Sequence, residues 1–287
     1  MIRRRYCGCT QGAWIVSVGM LFASCTSGAW RASVDPLGVV GSGADVYLYF
    51  PVAGNENLIS RIIENHESKA NIKKIVDRTT AVYGAFFARS KEFRLFGSGS
   101  YPYAFTNLIF SRSDGWASTK TEHGITYYES EHTDVSIPAP HFSCVIFGSS
   151  KRERMSKMLS RLVNSDRPQL PPRFEKECTS EGTSQTVALY IKNGGHFITK
   201  LLNFPQLNLP LGAMELYLTA RRNEYLCTLS LQLGNAKINF PIQFLISRVL
   251  NAHIHVEGDR LIIEDGTISA ERLASVISSL YSEKGSS

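Results

Sequence analysis

The chain has 287 residues, 43% hydrophobic and 20% charged, with 31 basic and 25 acidic side chains and a formal net charge of +6. That composition supports a sizeable core and excludes a largely disordered chain. No stretch reaches 18 consecutive apolar residues, so the sequence predicts no ordinary membrane-spanning helix.

The N-terminus reads as an export signal over residues 1–24. Arg3, Arg4 and Arg5 precede an apolar run from Ala13 to Ala23, and small residues close it. Leu21-Phe22-Ala23-Ser24-Cys25 resembles the lipobox of bacterial lipoproteins, with Phe22 where Leu is usual. Cys25 is therefore the expected lipidation site and the start of the mature chain. Without the leader arginines, 28 basic and 25 acidic side chains remain, a formal +3. With no basic run interleaved with aromatics, a nucleic-acid partner is excluded. Of six cysteines, Cys7 and Cys9 leave with the leader and Cys25 carries lipid. Cys144 and Cys227 read as buried thiols in apolar strands. Cys178 is left open as a bridge partner.

Residues 25–43, rich in Gly, Ser and Ala, read as a lipidated tether. A first half, 44–165, and a second half, 186–287, flank a proline-containing linker at 166–185. The halves resemble each other. "DVYLYFP" (45–51) matches "TVALYIK" (186–192) as strands, and "NLISRIIE" (57–64) matches "HFITKLLN" (196–203) as short amphipathic helices. "EFRLFGSGSYPYAFTNLIFS" (92–111) is set against "ELYLTARRNEYLCTLSLQ" (215–232), each as strand, turn and strand. "GSSKRERMSKMLSRLV" (148–163) matches "GTISAERLASVISSLY" (266–281) without a gap, a helical stripe in both. The expected fold class is α/β of the α+β type: a pseudo-duplicated antiparallel sheet covered by amphipathic helices, in α/β/α layers enclosing an apolar cavity.

Two segments break the repeat. Residues 67–91 place Ile72, Ile75, Val76, Val82, Tyr83, Phe86 and Phe87 on one stripe, which predicts a helix of some 22 residues, roughly 33 Å long. Residues 240–250, "FPIQFLISRVL", predict a helix started by Pro241. Ile242, Phe244, Leu245, Ile246, Val249 and Leu250 spread over more of its circumference than the ~100° stripe an ordinary surface helix buries.

Catalytic signal is sparse. There is no nucleophile elbow, zincin motif, phosphate loop or paired CxxC. His253 and His255 share a strand face but have no evident third metal ligand, and Glu129, Glu131, His132 and Asp134 read as a solvated acidic patch. The expectation is therefore a protein that is not an enzyme and has no cofactor or metal. The candidate functional residues are instead the apolar helix faces: Ile242, Phe244, Leu245, Ile246, Val249 and Leu250; Phe197, Ile198, Leu201 and Leu202; and Ile72, Ile75, Val76, Tyr83, Phe86 and Phe87. They could line a cavity, enter a bilayer interface or fill a core.

The relaxed lipobox, the two-half plan and the amphipathic helices resemble treponemal outer-membrane-associated lipoproteins. The architecture is also similar to mycobacterial lipid-carrier lipoproteins. The resemblance implies a lipid anchor in the periplasmic leaflet of the outer membrane, helices that insert into the bilayer, and a gated cavity carrying lipid or glycolipid. It carries over only Cys25 as a motif residue. Membrane lipids and an apolar ligand are the expected partners, and a homodimer through an amphipathic helix is left open. The rival readings are a bilayer-permeabilising protein and a solid-core interaction or adhesion module.

Overall fold

The computed structural model describes residues 34–63, 76–101, 110–121, 124–132, 135–138, 144–149, 152–162, 164–179, 184–201, 209, 211–222, 224–233 and 240–281. Asp35–Ser287 form one compact unit. It therefore begins inside the segment read as tether, with helix α1 (Pro36–Val40). Leu37, Val39 and Val40 of α1 are buried, so this short turn is part of the fold.

The first half continues with β1 (Val46–Pro51), α2 (Glu56–Ile63), β2 (Thr79–Phe87) and β3 (Glu92–Gly99). A meander of β4 (Trp116–Lys120), β5 (Thr126–Ser130) and β6 (Val135–Pro138) leads to β7 (Cys144–Ser149) and α3 (Arg152–Ser160). Helix α4 (Pro172–Thr179) lies within the predicted linker. The second half is β8 (Thr186–Ile191), α5 (Gly194–Leu201), β9 (Met214–Arg221), β10 (Glu224–Gln232), α6 (Phe240–Leu250), β11 (His253–Glu257), β12 (Arg260–Ser269) and α7 (Ala270–Tyr281).

Among the described residues all strands join one sheet in the order β11-β12-β10-β9-β8-β1-β2-β3-β7-β6-β5-β4. The order reads the same outward from its centre, with β8 answering β1, β9 answering β2, β10 answering β3, β12 answering β7 and β11 answering β6. The central pair is antiparallel, joining Val46 to Ile191, Tyr47 to Tyr190, Leu48 to Leu189 and Tyr49 to Ala188. Both central strands are apolar on both faces, as a strand covered from two sides must be. β10 alternates buried and half-exposed side chains, as a strand covered from one side does.

Cross-strand partners share a face, so the register sorts the layers. Val46, Leu48, Leu189, Leu216, Leu229 and Ile263 point to the front, where one apolar cluster joins them to Leu58 of α2, Phe197 and Ile198 of α5, Ile246 and Leu250 of α6, and Leu273 and Ile277 of α7. Tyr47, Tyr49, Tyr83, Arg94 and Phe96 point to the back. There Arg94 donates to the Val40 carbonyl of α1 (3.0 Å) and the Tyr83 hydroxyl donates to the Cys178 carbonyl of α4 (3.2 Å). Met155 and Met158 of α3 pack over Gly148 on the same back face.

Three expectations are corrected. Residues 79–87 form strand β2, not the end of a long helix. "TTAVYGAFF" is rich in β-branched and aromatic residues, which suit a pleated surface, and apolar residues on both sides of a central strand imitate a helical stripe. With β2 in place, the hairpin matching β9–β10 is β2–β3, one strand earlier than residues 92–111. The supposed linker contains α4, with Phe174 and Cys178 buried one turn apart. Its start at Pro172 is the position where proline's missing N–H is harmless.

The start of α5 packs closely under the segment at Leu209. A Cβ on Gly195 would overlap the Leu209 carbonyl oxygen. Gly195→Ala should destabilise the protein by about 1–3 kcal/mol, read as a lowered denaturation midpoint in urea, whereas Ala at exposed Gly43, which has open space around it, should cost less through backbone conformation alone.

Candidate functional site: the apolar layer beneath three helices

The front of the second half carries α5, α6 and α7 over β8, β9, β10 and β12. Phe197 and Ile198 of α5 are fully buried. On α6, Ile246 and Leu250 are fully buried and Val249 packs half-buried against the same cluster. At 100° per residue these three form one inward stripe. Phe244 lies on the opposite side, 52% exposed, with the Arg248 guanidinium 5.9 Å from its ring centroid. The helix ends where Asn251 takes a left-handed conformation (φ 48°). The Ala252 N–H donates to the Ser247 carbonyl (3.0 Å), and the Ser247 hydroxyl donates to the Ala252 carbonyl.

Between these helices and the sheet lies a void of about 10 Å³. Phe197, Leu216, Leu218, Cys227, Leu229, Leu250, Ile268 and Leu273 line it, and no polar side chain does. A space of that size holds at most about one water, and an apolar lining keeps it dry. The void is much smaller than the apolar cavity expected from the sequence and lies far below the ~300 Å³ at which ligand pockets begin.

The void's lining residues come mostly from strands. Leu216, Leu218, Leu229 and Ile268 were absent from the sequence-derived candidates, although the alternation through 214–232 already put their neighbours on one face. Of the candidates, the structure brings together Phe197, Ile198, Ile246, Val249 and Leu250. It separates the others. Tyr83 is buried on the back against Tyr49 and Phe96, and Phe87 lies under the Arg94 guanidinium at 4.1 Å. Phe86 pairs with Val46 at the front of the first half. Val76 packs in a small separate cluster with Val52 and Ile59. Cys25, Ile72, Ile75 and Leu202 lie outside the described residues, as do the side chains of Leu201, Ile242 and Leu245.

Cys144, Cys178 and Cys227 are buried and outside any disulfide, so Cys178 forms no bridge. Burial pushes the Cys227 thiol up to about 12, and does the same for Cys178. Among the described residues no group of three or more His, Cys, Asp or Glu gathers to hold a metal. His255 Nε2 stands 3.3 Å from Glu257 Oε1 on the exposed back of β11.

Residues 31–274 match the family described as outer membrane-associated lipoprotein TP0453. The chain belongs to that family. It is 98% identical over 287 residues to "Outer membrane protein TP0453" of Treponema pallidum (strain Nichols), covering all of both chains. Among solved structures it is similar to crystal form I of TP0453, with a TM-score of 0.79 at 98% identity over 88% of this chain and all of that one. Crystal form III matches with a TM-score of 0.78 at 98% identity, over 87% of this chain and all of that one. Crystal form IV gives 0.73 at 96%, over 88% and all of the respective chains. The family places the protein as an outer membrane-associated lipoprotein, in agreement with the lipobox reading.

Leu250 closes the void from α6. Leu250→Ala should lower stability by about 2–5 kcal/mol in thermal or urea denaturation. Because the same change opens a path to Cys227, it should also speed thiol labelling of that residue, read by mass spectrometry of labelled peptides.

Proposed function

We propose that this lipoprotein binds lipid or glycolipid in the apolar layer beneath α5, α6 and α7, with α6 acting as a gate that enters the bilayer interface. The observation that carries this reading is a wholly apolar lining beneath three helices, one of which, α6, also shows Phe244 to solvent. The energetic balance supports it. Two fully buried side chains, Ile246 and Leu250, hold α6 down with on the order of 3–6 kcal/mol gross. Transfer of Ile246, Val249, Leu250 and Phe244 into the acyl boundary would return a similar amount. A helix whose two environments differ by so little can exchange between them on contact with a membrane, and its departure leaves Leu216, Leu218 and Leu229 to be covered by an acyl chain.

The lipid on Cys25 supplies the first membrane signal, and α6 the second, as stable attachment requires. Cationic attraction is slight, since Arg248 is the one basic residue of α6. Apolar burial therefore dominates. The anchor sits in the periplasmic leaflet, and the role is carriage of lipid without a chemical reaction.

The soluble chain starting after Cys25 should float with phospholipid vesicles, and Phe244→Ser should weaken that partition about tenfold without lowering the denaturation midpoint. Labelling of Cys227 should accelerate when vesicles are added. A Phe244→Ser chain that partitions as well as its parent would show that α6 does not enter the bilayer. Release of trapped dye without extraction of labelled lipid would favour a permeabilising protein over a carrier.

A further inference from the structure

We propose that the turn between α1 and β1 forms, with Arg161 just past α3, a binding site for a small oxyanion of the phosphate class, which enters as Asp166 swings off Ser42. This inference stands on the back of the first half and is independent of what the apolar layer binds.

Arg161 is 9% exposed. Among the described residues it is the one charged side chain with a buried atom, Nη1, that meets no hydrogen-bond partner. A guanidinium carries five donors and keeps its charge, so a buried one left short of acceptors is costly. The nearby carboxylates are committed elsewhere. Glu92 accepts from Arg94 Nε at 2.7 Å. Asp166 accepts from the Ser42 hydroxyl at 2.9 Å and from the Ser42 N–H at 3.4 Å. Arg94 adds a second guanidinium to the same corner. Burial, and after it the Arg94 charge, push the Arg161 pKa down, and Asp166 and Glu92 offset them only in part. The corner therefore holds a cation that the chain's own acids do not satisfy.

The loop facing Arg161 allows a close approach. Gly41 takes φ 80°, and a Cβ added there would stand 2.9 Å from the Arg161 Cζ. Gly43 takes φ 85° with open space where its Cβ would be. Ser42 and Asp166 are both exposed, so the Asp166 side chain can leave without disturbing the core. An oxyanion in its place would accept from the Ser42 hydroxyl and N–H, as the carboxylate does. It would also offer a further oxygen to the guanidinium fork. A tetrahedral phosphate suits this better than a halide, because its oxygens diverge toward separate donors. The compact unit begins at Asp35, ten residues after Cys25. Lipid headgroups at a membrane surface are thus one source of such a group, and free phosphate is the other.

The test uses the chain starting after Cys25, since relatives spanning 88% of this chain at 98% identity crystallise as folded proteins. Inorganic phosphate titrated into it calorimetrically in low-salt buffer should bind, and should raise the thermal midpoint. Asp166→Asn removes the competing charge at an exposed position and should tighten binding about tenfold. Arg161→Met should weaken it about tenfold or more and cancel the rise in midpoint. Phosphatidylglycerol vesicles, offered to chains that also carry Phe244→Ser, separate the two sources. A partition that falls with Arg161→Met and rises with Asp166→Asn assigns a headgroup phosphate. A response to inorganic phosphate alone assigns the free anion, and either result supports the site. Parent and Asp166→Asn chains that answer neither probe overturn the proposal. So does an Arg161→Met chain that binds both probes as the parent does.

Discussion

The structure depends on the antiparallel contact between β1 and β8. Without it the halves are two incomplete sheets, each with an apolar edge strand. With it, four residue pairs from Val46–Ile191 to Tyr49–Ala188 fuse them into a continuous sheet. Stacking of Tyr47 on Tyr190, with ring centroids 6.5 Å apart, adds a contact on the back. The junction is pinned at one end by Asn55, whose side-chain amide donates to the carbonyls of Pro51 and Gln185, both at 3.0 Å. The residue before β8 is thereby tied to the end of β1. A linker that contributes a helix and a hydrogen-bonded strand entry cannot let the halves move apart as independent domains.

The parts legible from sequence were those with a single periodic signal. Helix 240–250 appears with the predicted boundaries, because a proline start and an apolar run leave few alternatives. The ends of the repeat aligned correctly for the same reason. β2 was misread because a strand buried on both faces has no alternation, so Val82, Tyr83, Phe86 and Phe87 fit a helical stripe by spacing alone. Gly84, whose added Cβ would meet Leu95 at 2.9 Å, is the local clue that two strands cross closely there. Helix α4 was hidden by composition: Phe174 and Cys178 are its only buried residues, and prolines on its N-terminal side read as linker.

The back of the first half shows how the chain leading into β1 is fixed. Arg94 pairs with Glu92 at 2.7 Å and reaches the Val40 carbonyl. The Tyr47 hydroxyl donates to the Gly41 carbonyl and accepts from the Ala44 N–H. Ser42 donates to Asp166 at 2.9 Å, and that bond holds the Asp166 carboxyl below its ordinary range. Gly41 is required at the turn, since it adopts φ 80° with the Arg161 guanidinium against it. A buried ion pair that is also hydrogen-bonded to backbone is costly to break by losing one partner. These contacts explain why residues with a tether's composition nevertheless belong to the fold.

The repeat also fails in where its closing helices pack, and that failure shapes the surface. The closing helices α3 and α7 align in sequence without a gap, yet α3 packs on the back over Gly148 and α7 on the front with Leu273 and Ile277 in the main cluster. The side chain each sheet half offers decides this. β7 presents Gly148 to the back, a bare patch into which two methionines fit. β12 presents Leu261, Ile263 and Ile268 to the front and Arg260, Ile262, Glu264 and Thr267 to the back. A helix with an apolar stripe can cover only the front of that strand. The consequence is that at this end of the sheet the buried apolar surface of β10, β12 and β11 faces the front, under α6 and α7, while their backs meet water with Thr228, Ser230, Arg260 and His255. Such a half-sheet has nowhere else to turn its leucines when a helix leaves. In the proposed exchange, displacement of α6 would have to be matched by another apolar cover, because the polar back of β10, β12 and β11 offers none.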